Sequence, residues 1–66
     1  MTSKQKYNVA VVAAALQLIE SPGMTVGKLR TLREFEIYNG IKDDVDQMYY
    51  DSILAAIEMM ERPLFQ

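Results

Sequence analysis

The sequence predicts an all-α fold, a compact domain of three helices that self-associates, and three observations carry that prediction. Breakers cut the chain twice, at Ser21-Pro22-Gly23 and at Asn39-Gly40. In each of the three segments so defined, apolar residues recur three and four positions apart, the spacing of a helix face. The 66 residues fill one domain, 1–66, and leave no room for a second.

The first helix is expected over about residues 4–20. Thr2, with Gln5 three positions on, has the pattern of a capping box. Val9, Val11, Val12, Leu16 and Ile19 interleave with Ala10, Ala13, Ala14 and Ala15, so this helix is apolar nearly all round. Such a helix needs covering on more than one side. It reads as the central helix of the domain or as half of a dimer seam.

The second helix is expected over about 25–38, with Thr25 as N-cap. Val26, Leu29 and Leu32, with Phe35 or Glu36, form its apolar face, and Lys28, Arg30 and Arg33 lie on the other sides. Gly27 in the first turn weakens the start by about 1 kcal/mol relative to Ala. The alternation Glu34-Phe35-Glu36-Ile37-Tyr38 also suits a short strand, but a lone strand has no partner in so small a chain.

The third helix is expected over about 43–61, started by Asp43 or Asp44 at the positive end of the helix dipole. Val45, Met48, Tyr49, Ser52, Ile53, Ala56, Ile57 and Met60 trace one continuous face. Pro63 stops the helix, and Leu64 with Phe65 makes an apolar tail expected to fold back on the bundle.

Composition excludes several function classes. The chain has no Cys and no His, which removes thiolate nucleophiles, imidazole bases, disulfides and the common zinc-ligand sets. So short a chain buries only about 60% of its unfolded surface and cannot readily enclose a substrate pocket. An enzyme, a cofactor and a bound metal are therefore not expected. The longest apolar run, Val9 to Leu16, is eight residues, whereas a membrane span needs about 20. That stretch ends in Glu20-Ser21-Pro22 and does not read as a signal peptide, so the expected location is the cytoplasm.

The net charge of −2 is unevenly spread. Residues 1–33 hold five Lys and Arg against Glu20 alone, and residues 34–66 hold Lys42 and Arg62 against eight carboxylates. One consequence is two surfaces with different preferences; the other is a basic half that neutralises an acidic half within the fold.

The segment Ala15 to Leu29 joins an apolar helix end, a Pro-Gly turn, Thr-Val and an amphipathic helix. It resembles the opening of winged-helix and helix-turn-helix regulators, in which the Thr caps the first helix of the DNA-reading unit. That resemblance implies a helix-turn-helix-like arrangement and DNA binding. The chain departs from it at Lys42-Asp43-Asp44-Val45-Asp46, where a recognition helix would enter the groove with three carboxylates facing phosphates. A DNA surface would instead use Lys4, Lys6, Lys28, Arg30, Thr31 and Arg33.

The acidic residues Asp43, Asp44, Asp46 and Asp51 lack the alternation, central Gly and distal Glu of a calcium loop. Capping and solvation account for them. Tyr49 and Tyr50 are adjacent and point about 100° apart, so one reaches the surface. Tyr is enriched at protein interfaces. The candidate protein-binding residues are thus Asp43, Asp44, Asp46, Tyr49, Tyr50 and Asp51, and the partner they suit is a protein with a basic surface. Met48, Met59 and Met60, like Leu64 and Phe65, add apolar surface that three short helices cannot all cover, which favours a homodimer. The expected function is that of a small non-catalytic regulator or inhibitor that acts by binding a protein. Phages and mobile elements use small acidic binders against host machinery, an analogy that rests on no particular residue.

Overall fold

The structure is a computed structural model and describes residues 2–62. It contains three helices, α1 (Ser3–Glu20), α2 (Val26–Asn39) and α3 (Asp44–Glu61), and no strand among the described residues. The 34–38 segment is helical, so its alternation of polar and apolar residues does not mark a strand.

Each helix begins where a side chain can satisfy its free N–H groups. At α1 the Thr2 hydroxyl accepts from the Gln5 N–H at 3.2 Å, and the Gln5 side chain accepts from the Thr2 N–H at 2.8 Å, completing the capping box. Thr25 Oγ1 accepts from the Lys28 N–H at 3.1 Å, and Asp43 Oδ1 from the Asp46 N–H at 2.8 Å. Asp44 and Asp46 lie in the first turn of α3, against the positive end of its dipole.

The breaks are glycine-dependent. Gly23 has φ 74° and turns the chain between α1 and α2, and the Met24 N–H closes that turn on the Ser21 carbonyl at 3.1 Å. Gly40 caps α2 with φ 82° and ψ 146°. The expected positive φ is present, but ψ lies outside the left-handed helical well, in a region reached essentially only by Gly.

The packing order corrects the sequence reading. Helix α3 is central: it packs against both α1 and α2, whose Cα atoms nowhere come within 8 Å of each other. The reason is side-chain size and width of stripe. Ile53, Ala56 and Ile57 bury a broad band on α3, while α1 contributes only Ala15 as a fully buried residue and α2 only Leu29. The apolar circumference of α1 is thus covered on one side and open on the other.

Two side-chain contacts fix direction. Tyr7, in the second turn of α1, donates to Asp51 of α3 at 2.5 Å. Arg30, near the start of α2, pairs with Glu61 at the end of α3, also at 2.5 Å. Helix α1 therefore runs parallel to α3, and α2 antiparallel.

The core lies toward one end of the molecule. Leu18, Ile19, Met24, Val26, Leu32, Ala55 and Met59 pack around the buried set of Ala15, Leu29, Ile53, Ala56 and Ile57. These residues come from the C-terminal half of α1, the Pro-Gly turn, the first half of α2 and the C-terminal half of α3. Ser52 is fully buried beside them and donates to the Met48 carbonyl at 2.7 Å, so its hydroxyl is satisfied within the helix. Toward the other end Tyr7, Ala10, Val11, Met48 and Tyr50 are half-buried and none of them is fully buried. The radius of gyration is 12.3 Å, against about 11 Å for a compact chain of this length.

The ambiguity at the end of the α2 stripe resolves to Val26, Leu29, Leu32 and Glu36, with Phe35 60% exposed. The α3 face is buried at Ser52, Ile53, Ala56 and Ile57 but open at Val45, Tyr49 and Met60. Pro63, Leu64 and Phe65, read as a stop and an apolar tail, lie outside the described residues.

Ile53→Ala is expected to lower the unfolding free energy by about 2–5 kcal/mol. Ile37→Ala, at an exposed position, is expected to change it by no more than about 0.5 kcal/mol. Urea denaturation followed by far-ultraviolet circular dichroism measures both.

Candidate protein-binding surface

The acidic residues of α3 divide into those engaged in the fold and those turned to solvent. Asp43 caps the helix. Asp46 accepts from the Asp43-proximal Lys42 N–H at 3.2 Å, which ties down the loop before α3. Asp51 is half-buried and takes two donors, the Tyr7 hydroxyl on one oxygen and the Gln47 amide at 2.9 Å on the other. Asp44 makes no side-chain hydrogen bond or ion pair among the described residues and is exposed.

Beside these carboxylates are two large side chains in one stripe. Val45 is 75% exposed and Tyr49, one turn later, 38%. Tyr50 points elsewhere and is half-buried. Of the adjacent tyrosines, Tyr49 is the one at the surface. The first two turns of α3 therefore present an apolar and aromatic pair beside acidic residues.

The outer faces of the flanking helices add surface: on α1 it is the side a dimer seam would use, whereas the α2 surface has no counterpart in the sequence reading. On α2, Phe35 and Tyr38 stand exposed, Tyr38 at 88%, and with Thr31 and Glu34 they line a shallow concavity of about 470 Å³. On α1, Val9, Val12, Ala13 and Leu16 with Asn8 line another of about 370 Å³. The signal was present in the sequence as excess apolar residues. Their direction was not, because i+3 and i+4 neighbours on an all-apolar helix are interchangeable until the packing partner is known.

The basic residues do not converge. Lys4 and Lys6 lie at the start of α1, near the start of α3, whereas Lys28 and Arg30 lie at the start of α2, near the end of α3. Arg30 is engaged with Glu61, Arg33 lies 3.7 Å from Glu34, and the Thr31 hydroxyl donates to the Gly27 carbonyl at 3.0 Å. Arg30–Glu61 joins the basic half to the acidic half; the other two ion pairs among the described residues, Arg33–Glu34 and Arg62–Glu58, are local. An exposed pair of this kind contributes at most about 1 kcal/mol to stability.

Among the described residues no three carboxylates converge to hold a metal ion, and no helix is long and apolar enough to cross a membrane. No family model, curated protein or solved structure matches the chain.

The Tyr7–Asp51 contact is the polar link between α1 and α3, and it raises the Tyr7 pKa. The hydrogen bond to the Asp51 carboxylate is the main cause; desolvation and the negative charges of Asp51 and Asp44 act in the same direction. A raised pKa in the folded state means that the folded protein holds this proton more tightly than the unfolded one. The resulting stabilisation is present in full below the ordinary phenol value of about 10 and disappears as pH rises through the folded value. The difference between tyrosinate absorbance titrations of the wild type and Tyr7→Phe should show a midpoint above that ordinary value. Asp51→Asn should lower it. The wild type should also lose its thermal-stability advantage over Tyr7→Phe as pH climbs through the same range.

Proposed function

We propose that this protein is a small non-catalytic regulator or inhibitor that works by binding another protein through the open end of the domain. The observation that carries this reading is the exposed pair Val45 and Tyr49 inside the rim of Asp43, Asp44 and Asp46. A complementary partner presents Lys or Arg around an apolar centre. Carboxylates at the rim speed and orient encounter, and burial of Val45 and Tyr49 holds the complex. The chain acts on this reading as a homodimer or within a larger complex, because its outer faces carry more apolar surface than a lone domain of this size usually shows.

The reading of the chain as a DNA binder ranks below this one. Basic residues at opposite ends of the molecule, two of them already in ion pairs, support the DNA reading poorly. Nonspecific binding to DNA gains from many phosphates neutralised together.

Two variants separate the readings. Asp44→Lys with Tyr49→Ala alters the acidic end and leaves the caps of α3 intact. Lys28→Glu with Arg33→Glu alters the basic half and spares the Arg30–Glu61 pair. Affinity capture from cell lysate is expected to lose a specific protein with the first variant and keep it with the second. Equal capture by all three chains contradicts the proposal. Fluorescence anisotropy with a random-sequence duplex is expected to stay flat down to low salt; a signal that falls steeply with the logarithm of salt concentration would establish DNA binding instead.

A further inference from the structure

The outer face of α1 carries a stripe that nothing in the described chain covers: Lys6, Val9, Ala13, Leu16 and Glu20, all exposed, with exposed Val12 alongside. The spacing is three, four, three and four residues, that of a coiled-coil seam. Its centre is apolar and narrow at Ala13, and its two ends bear opposite charges. Neither Lys6 nor Glu20 has an ion-pair partner among the described residues.

We infer that this stripe is covered by a second copy of the chain, packed antiparallel about a twofold axis near the Val12–Ala13 step. In that register Val9 lies opposite the partner's Leu16, and Lys6 opposite the partner's Glu20. The axis repeats both pairs. The first pair is centred on the Val12–Ala13 step and the second on Ala13, one residue or about 1.5 Å apart in register, an offset that the long Lys6 and Glu20 side chains span, so hydrophobic and charged complementarity favour neighbouring registers of one antiparallel arrangement. An isologous interface requires this self-complementarity. A parallel copy would set Lys6 against the partner's Lys6 and Glu20 against the partner's Glu20. Small Ala13 at the axis lets the two helices approach closely, and Val12 extends the apolar strip toward Ala55 and Met59 of α3, with which it walls a groove of about 250 Å³.

The chain exposes 5032 Å², whereas a folded monomer of its mass exposes about 4200 Å²; exposed Val9, Val12 and Leu16 on α1 account for part of that surplus. The inference does not depend on what the acidic end of α3 binds, and the two are tested separately.

Sedimentation velocity over a concentration series, at low and moderate salt, tests it. The wild type is expected to shift from 7.5 kDa toward twice that mass as concentration rises. Leu16→Glu should abolish the shift. Lys6→Glu and Glu20→Lys should each raise the dimer dissociation constant, by roughly tenfold at low salt, and the double variant should restore it. Both single changes put the favoured charge at their own end of α1, so a lost dimer does not reflect a lost helix; circular dichroism checks this. A wild type that stays monomeric at every concentration overturns the proposal and leaves the stripe to a different protein. A dimer unaffected by Leu16→Glu, or a double variant no better than the singles, overturns this face and register.

Discussion

The burial of one band on α3 against two helices at once is the constraint from which the rest of the structure follows. Ile53, Ala56 and Ile57 form that band, and Leu29 and Ala15 close on it from either side. Two large aliphatic side chains separated by a small one let both flanking helices approach the same helix closely. Ser52 continues the band at no polar cost, since its hydroxyl bonds within α3. Because this core is small and gathered where the Pro-Gly turn joins α1 to α2, the opposite end has little to hold it shut. There the links are polar, with Tyr7 reaching Asp51 across the α1–α3 seam.

That imbalance connects fold to function. A domain closed evenly around its core would have hidden Val45 and Tyr49 and left only carboxylates at the surface. Here the acidic end of α3 keeps an apolar centre, and the outer faces of α1 and α2 keep Val9, Val12, Leu16, Phe35 and Tyr38 accessible. The chain's carboxylates are divided in the same way: Asp43 caps α3 and Asp51 braces α1, whereas Asp44 makes no side-chain bond among the described residues.

Much of the fold was legible in the sequence because its signals are local. Thr2, Thr25 and Asp43 cap their helices through a hydrogen bond three residues away, and Gly23 and Gly40 are needed for backbone angles that other residues avoid. The core residues Leu29, Ile53, Ala56 and Ile57 followed from spacing. Packing order was less legible. Helix α1 is apolar on nearly every side, so its sequence does not say which side is covered, and its many small side chains bury less than the isoleucines of α3. Phe35 and Glu36 competed for the same inward position, and the loss of the aromatic to solvent depended on where α2 sits against α3. Of the candidate site, Tyr49 and Asp44 are exposed, while Asp51 braces α1. The outer stripes of α1 and α2 became visible only once α3 was seen between them.

Residue-level hydrogen exchange under native conditions tests the central claim most directly, because it reports the opening free energy of each part of the molecule separately. The account predicts that the amides of Ile53, Ala56 and Ile57 exchange only through global unfolding. Those of Ile37, Tyr38 and Asn39, at the far end of α2, should exchange through local opening of clearly lower free energy. Equal protection at the two ends would contradict a core confined to one of them, and with it the open end on which the binding surface depends.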